Sequence, residues 1–241
     1  MRISPSLKIV GLAATLGLGL DAHSQEIICD RVLEDFAAAN ETGLPKGWKS
    51  NSSNALERAG RDKLYQVASG SEGNFLQAKA KGSGLTLALD IKDWDLKKHP
   101  ILRWKWRVHE LPKNASEDSS RNDAAASVYV IWKSSLIMRV KSIKFTWSST
   151  LAAGTHLKKR FDNDHVHVLR SGESGKGEWI TESINVRELA AKYHPGENDP
   201  PLGIAVLTDG DATQSPASAD YADFVACRQA ETKSAQKTQG L

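Results

Sequence analysis

The chain has 241 residues, with 32 lysines and arginines against 29 aspartates and glutamates, a formal net charge of +3 and 40% hydrophobic residues. That size and composition suit one domain with a full hydrophobic core. So small a net charge argues against a general nucleic-acid binder, and no apolar run reaches the length of a membrane-spanning helix.

Arg2 and Lys8 precede an apolar run from Ile9 to Leu20, and Ala22-His23-Ser24 sets small residues where signal peptidase cuts. Residues 1–24 are therefore expected to be a secretory signal peptide, removed before Gln25. The residues before Cys29 (Glu26-Ile27-Ile28) do not form a lipobox, so no lipid anchor is expected. The expected location is the periplasm or the medium. Loss of Arg2, Lys8 and Asp21 lowers the net charge from +3 to +2.

Strand candidates then follow at short spacing, bounded by Gly, Pro, Asn or Asp. They are Asp30–Phe36, Leu64–Ala68, Asn74–Lys81 and Leu85–Ile91. Ile101–His109 comes next, after Pro100, and is the clearest of all. Leu102, Trp104, Trp106 and Val108 fall on one face, Arg103, Lys105 and Arg107 on the other. Leu111–Asn122 is a polar loop expected to be mobile. Ala125–Lys133, Ile143–Ser148, His165–Arg170 and Gly177–Ser183 are further strands. Asn185 caps a short helix over Val186–Tyr193, with Glu188 three residues on and Pro195-Gly196 as the stop. Leu202–Thr208 and Tyr221–Cys227 complete the set. The tail from Arg228 has nothing to bury and is expected to be disordered, leaving 25–227 as one domain. This pattern predicts an all-β fold, a two-sheet antiparallel jelly-roll sandwich with one short helix, with a closed barrel as the alternative.

The two cysteines, Cys29 and Cys227, stand at opposite ends of this domain. In an oxidising compartment they are expected to form a disulfide. Pairing Asp30–Phe36 antiparallel to Asp220–Cys227 sets Cys29 opposite Cys227 and, in the same register, Phe36 opposite Asp220. A bridge closing so long a loop is worth roughly 4–5 kcal/mol in the chain-entropy model. Two unpaired buried thiols are the alternative.

A set of landmarks spans nearly all of the mature chain: Pro45-Lys46-Gly47-Trp48, the Leu102–Val108 strand, and Asp123-Ala124-Ala125 leading into Val128-Tyr129-Val130. Phe145-Thr146-Trp147, Gly177-Glu178-Trp179 through Asn185-Val186, Gly203 through Asp211, and Tyr221-Ala222-Asp223 continue it. In these the chain resembles the domain-of-unknown-function 3047 family of exported bacterial proteins. The resemblance implies a β fold and export, and no activity. Where that family commonly has an Arg, this chain has Ser127. Glu34-Asp35-Phe36 followed by Pro45-x-Gly-Trp48 is also similar to the start of some jelly-roll carbohydrate-binding modules, an analogy of fold that does not fix function.

Four constellations carry chemistry. The first is the basic face of the central strand. With Trp104 and Trp106 inward, Arg103, Lys105 and Arg107 point outward, and the same outward parity takes in Ser127 and Tyr129, Lys144 and Thr146, His165 and His167, and Glu182. Such a face suits carboxylated or phosphorylated glycans, since Arg grips carboxylates and Tyr offers a stacking surface; a merely solvated face is the alternative. The second is the set of seven tryptophans. Trp104, Trp106, Trp147 and Trp179 read as core, whereas Trp48 and Trp94 read as accessible. The third is His165-Val166-His167, two imidazoles about 7 Å apart on one strand face, which can ligate zinc or copper given a third ligand from His156, Glu182 or Asp164. The fourth is the acidic turn Asp209-Gly210-Asp211, with Asp220 and Asp223 after it, where Asp209 and Asp211 are candidate ligands of a structural Ca²⁺. Turn-forming aspartates that bond their own backbone are its alternative.

No Gly-x-Ser-x-Gly elbow, phosphate-binding loop, dinucleotide fingerprint, Cys-x-x-Cys or His-Glu-x-x-His occurs. Serine hydrolases of the elbow type, nucleotide enzymes and zincin proteases are thereby excluded, while carboxylate-pair glycosidases are not. The expectation is an exported binder without chemistry, taking a glycan, anionic or neutral, or another polar envelope ligand. Its expected contacts are Arg103, Lys105, Arg107, Tyr129, Lys144, His165, His167 and Glu182, with Trp48 at the rim. No cofactor is expected beyond the candidate Ca²⁺. The rivals are a polysaccharide lyase or hydrolase using His167 or Tyr129 as acid/base, and an envelope factor that binds protein.

Overall fold

The computed structural model describes residues 26–134, 140–159 and 163–230. The expected leader lies outside them, as do residues 231–241. The chain order is β1 (Ile27–Glu34), α1 (Ser53–Arg61), β2 (Tyr65–Gly70), β3 (Gly73–Lys81), β4 (Leu87–Asp90), β5 (Ile101–Glu110), β6 (Ala126–Lys133) and β7 (Val140–Ser148). It continues with β8 (His156–Lys159), β9 (Asp164–Ser171), β10 (Ile180–Asn185), α2 (Val186–Tyr193), β11 (Gly203–Leu207) and β12 (Pro216–Gln229).

Two six-stranded sheets face each other. The first has the order β10-β5-β12-β3-β2, with β1 also paired to β12; the second has the order β4-β11-β6-β7-β9-β8. The expected sandwich is thus present, with three departures. β7 and β9 pair in parallel, because β8 forms a hairpin with β9 and takes the chain back across the sheet. α1 is a second helix, capped by the Ser52 side chain, which accepts from the Ala55 amide. It buries Ala59 and Gly60, with Leu56 partly buried against the core on the same side. Arg228 and Gln229, expected in the tail, extend β12 instead.

β12 is the spine of the first sheet. It pairs with β5 along one edge, and on the other with β3 through Pro216–Tyr221 and with β1 through Phe224–Gln229. Between those halves the register shifts after Ala222, and Asp223 takes a left-handed conformation (φ 54), which Asp tolerates better than most residues. Cys29 stands directly opposite Cys227, and the two form the expected disulfide. The rest of the expected register does not hold. Two irregularities in β1 bring Glu34 opposite Phe224, and the strand ends before Phe36. Phe36 turns inward (φ 54) and stacks on Trp48, ring centroids 5.8 Å apart.

The core lies between the sheets. Trp104 and Trp106 of β5 are fully buried, in line with the parity reading. Trp104 packs against Phe145 (5.6 Å) and Trp106 against Trp147 (6.1 Å), so β5 and β7 are joined by aromatic contacts. At one end a buried polar knot ties the sheets. The Thr208 hydroxyl donates to the Ala125 carbonyl (2.9 Å), Tyr221 Oη donates to the Leu207 carbonyl (2.9 Å), and Tyr65 Oη accepts from the Thr208 amide (3.0 Å). Burial holds both tyrosine hydroxyls well above their usual range, hence neutral. α2 forms as expected: Asn185 Oδ1 accepts from the Glu188 amide (3.1 Å) while Asn185 Nδ2 donates to Glu188 Oε1 (2.6 Å).

Replacing both cysteines (Cys29→Ser with Cys227→Ser) is expected to lower unfolding stability by roughly 2–5 kcal/mol in urea titrations under non-reducing conditions. A midpoint unchanged from the oxidised parent would show that the bridge contributes nothing.

Candidate functional site

The pleat of β5 and the pairing of β12 build a face of mixed charge on the outside of the first sheet. Arg107 stands opposite Asp220 and Lys105 opposite Ala222. Asp220 is fully buried, and its Oδ2 accepts from Arg107 Nε (3.0 Å) and Nη2 (2.7 Å). His109 Nε2 lies 2.7 Å from the same oxygen, so it is this nitrogen that carries the proton. Lys105 pairs with Asp223 (3.0 Å) and Glu72 (3.5 Å). The Asp223 carboxylate holds its ammonium above the usual range. Among the described residues the Arg103 side chain reaches the sulfur of Cys29, at 3.9 Å, and no carboxylate.

Beside these charges is an aromatic pair that sequence reasoning missed. Phe75 of β3 and Trp179, just before β10, meet edge to face with centroids 5.7 Å apart. The Arg107 guanidinium lies over both, 4.4 Å from the Trp179 ring centre and 5.7 Å from that of Phe75. Trp179 was expected in the core and is half-buried here. The signal was its place beyond the apolar alternation: Gly177 and Glu178 precede it, and the strand begins only at Ile180. Phe75 could have been read from β3, where it shares parity with Gln77 and Lys79 rather than with buried Leu76 and Ala78.

Two depressions run together along this face. One, of about 110 Å³, is lined by Glu72, Phe75, Lys105, Arg107, Trp179 and Asp223 among others. The other, of about 340 Å³, is lined by Val32, Glu34, Arg103, Lys105, Thr181 and Asp223 among others. They share Lys105 and Asp223 and so form one groove across β5 and β12.

The remaining expected contacts do not join it. Tyr129 and Lys144 lie on the outer face of the other sheet, paired across β6 and β7, on the far side of the sandwich. Glu182 stands opposite Trp104 and faces inward, where it accepts from Trp106 Nε1 (3.1 Å) and Arg170 Nε (2.7 Å). His165 and His167 also face inward, in register with Ile143 and Phe145 of the core. Trp48, expected at the rim, is buried, its Nε1 donating to Glu34 Oε2 (2.7 Å); Trp94, also expected to be accessible, is fully buried. His167 and Tyr129, the expected acid/base candidates, therefore lie on opposite faces of the second sheet.

Inside the second sheet, His156 and His165 stack with Tyr193 of α2 and His167 stacks on His156, while His194 packs edge-on against Trp132. His156 Nε2 lies 3.1 Å from His165 Nδ1. Glu182 bonds Arg170 rather than these rings. Burial, then the neighbouring imidazoles, pushes His167 down to about 4, and burial also lowers His156 and His194. The acidic turn gathers Asp209 and Asp211 with Asp123, not with Asp220 or Asp223; one oxygen from each of the three lies within 4.8 Å of the others. These are the hard oxygen donors that Ca²⁺ takes. They are also in use: Asp123 accepts from the Ala212 and Thr213 amides (3.0 and 2.7 Å), and Asp209 from the Asp211 amide (3.2 Å). Burial, with Asp211 and Asp123 beside it, pushes Asp209 up to about 6.

Fold and face together define a β-sandwich with a shallow aromatic and charged groove across one sheet. The family model described as "Protein of unknown function (DUF3047)" matches residues 46–225, and the chain belongs to that family. No curated protein matches the sequence. Among solved structures it is similar to the family 11 carbohydrate-binding module of the cellulosomal cellulase Lic26A-Cel5E of Clostridium thermocellum, with 13% identity, 86% of this chain and 99% of that chain covered, and a TM-score of 0.44. It is also similar to SGBP-B from a complex xyloglucan utilization locus in Bacteroides uniformis (10% identity, 69% and 45% covered, TM-score 0.35) and to an exo-β-agarase (10%, 84% and 26%, TM-score 0.32). No residue role is carried over from them.

The histidines generate a pH dependence. Native His167 stays neutral down to about 4, whereas an unfolded histidine takes up its proton near 6.5. Between those values the unfolded state binds more protons, so stability falls as pH drops through the window. Asp209, raised to about 6, acts in the opposite sense over 3.8 to 6. In His167→Asn the loss of melting temperature between pH 7 and pH 5 is expected to be a few degrees smaller than in the parent. An equal loss in both would show that His167 is not held neutral.

Proposed function

We propose that this protein is an exported glycan-binding protein that holds its ligand without turning it over, along the groove on the outside of the first sheet. The observation that carries this reading is the Phe75–Trp179 pair with Arg107 laid across it. Sugar rings present apolar C–H faces and a rim of hydroxyls. An aromatic surface flanked by fixed donors and acceptors meets both demands at once, and a groove open along its length accepts a polymer. The family match bears on membership and is silent on ligand. The disulfide suits an oxidising compartment, and among the described residues no helix is long and apolar enough to cross a membrane.

The charge balance of the groove favours a neutral glycan. Arg107 is held by Asp220, and Lys105 by Asp223 and Glu72. Such pairs point acceptors as well as donors at a ligand and offer little net field to an anion. Arg103 alone lacks a carboxylate among the described residues.

The test is a screen of the protein against neutral and uronate-containing polysaccharides, followed by affinity electrophoresis on each hit. Binding is expected to change less than about threefold between 50 and 500 mM salt, because paired charges release few ions. Trp179→Ala and Phe75→Ala lie outside the core and are each expected to weaken it at least about tenfold, roughly 1.4 kcal/mol. No new reducing ends or unsaturated products should appear. Binding to no polymer, or binding that survives both substitutions, would sink the reading. Arg107→Ala is a poorer probe, since it strands a buried Asp220 and is expected to cost about 3–5 kcal/mol of stability.

A further inference from the structure

We propose that the larger depression of the groove is a subsite for an acetyl group, so that the glycan taken there is acetylated, through nitrogen or through oxygen. The inference rests on the groove reading above and names the class of sugar. β1, β12 and β5 lie side by side here, and the ladder sets Val32 opposite Val225 and Val225 opposite Arg103. Val32 is 65% exposed, the most exposed large hydrophobic side chain among the described residues. Val225 and Cys29 line the same depression and extend its apolar floor. Its volume of about 340 Å³ is within the usual range of small-molecule sites of about 300–1,000 Å³.

A methyl group is stabilised by covering that floor, since both surfaces leave water. The polar half follows from which groups are already engaged. Glu34 accepts from the Phe36 amide (2.6 Å) and from Trp48 Nε1 (2.7 Å), Asp35 accepts from the Ala37 amide (3.0 Å), and Asp223 pairs with Lys105 (3.0 Å). Arg103 has, among the described residues, the Cys29 sulfur at 3.9 Å, and sulfur is a weak acceptor. Its guanidinium is thus the donor left for a ligand. Glu34, Asp35 and Asp223 outnumber Arg103 and Lys105, so the depression disfavours an anion and suits a neutral acceptor. A carbonyl joined to a methyl meets both demands, with its oxygen on Arg103 and its methyl on Val32 and Val225. A sugar hydroxyl meets the first and not the second. Arg103 and Arg107 stand four residues apart on one face of β5, roughly 13 Å. One polymer can therefore rest on the Phe75–Trp179 pair and reach this subsite.

The experiment measures the affinity of the protein for chito-oligosaccharides, which carry an N-acetyl group on each ring, and for cello-oligosaccharides of equal length, which share the linkage and lack that group. Acetylated xylan and the same xylan after alkaline deacetylation form the second pair. In at least one pair the acetylated member is expected to bind at least about tenfold more tightly. Which pair shows it assigns the acetyl group to nitrogen or to oxygen. Val32→Ser and Arg103→Met change exposed side chains, and each is expected to reduce that preference to below about threefold. Lys81→Met, exposed at the end of β3, is expected to leave it intact. Equal binding within both pairs, a preference that survives both substitutions, or tighter binding of a uronate polymer would each overturn the subsite and leave the groove reading standing. Failure of all four ligands overturns the subsite as well, and the groove reading falls with it only if no other polysaccharide binds.

Discussion

The structure depends on the pairing of β5 with β12. At one step of that ladder Tyr221 meets Trp106 inside, and at the next Asp220 meets Arg107 outside. The inner step supplies the contact that holds the sheets together, since Trp106 reaches Trp147 and Tyr221 enters the buried hydroxyl knot. The outer step supplies the ion pair on which the groove is built. One strand pair therefore fixes core and surface together, and a slip of one residue would exchange them.

This double role explains why β5 was so legible. Its alternation runs without a break, so parity alone placed Trp104 and Arg103 on their correct sides. The cap of α2 and the facing cysteines were legible for a similar reason: each rests on local chemistry or on one antiparallel pair. Phe36 was misplaced because the irregularities of β1 break the count between Cys29 and the strand end. Glu182 was misplaced although its neighbours gave the answer, since Ile180 and Ile184 share its parity and point inward. His165 and His167 failed for a deeper reason. In β9 the valines face outward and the imidazoles inward, which inverts the usual inference from polarity. It inverts because the outer face of the second sheet is covered: Ser142, Lys144, Thr146 and Ser148 are all buried beneath the 111–125 loop and its neighbours. Whether a face is solvent is a tertiary fact, and strand parity carries no information about it.

The same covering explains why a single site assembled from parity divides into two. Outward in the first sheet and outward in the second are opposite directions. Arg103, Lys105 and Arg107 gather with Phe75 and Trp179, while Tyr129 and Lys144 gather with Asn122 and Lys159. The residues were chosen for their chemistry, and the stacking of the sheets decided their company.

On both faces the cations lie among carboxylates. The groove holds Arg103, Lys105 and Arg107 beside Glu34, Glu72 and Asp223, and the depression on the other sheet holds Lys144 and Lys159 beside Glu117 and Asp164. In the groove most cations lie within bonding distance of a carboxylate, so what they present to a ligand is a set of oriented donors and acceptors. Under the 111–125 loop Glu117 and Asp164 accept from strand hydroxyls, and Lys144 shares their depression with its ammonium 5.6 Å from the Tyr129 ring. A field that is already balanced selects by shape and hydrogen bonding rather than by charge. What a basic stretch binds therefore turns less on how many cations it holds than on where its anions are.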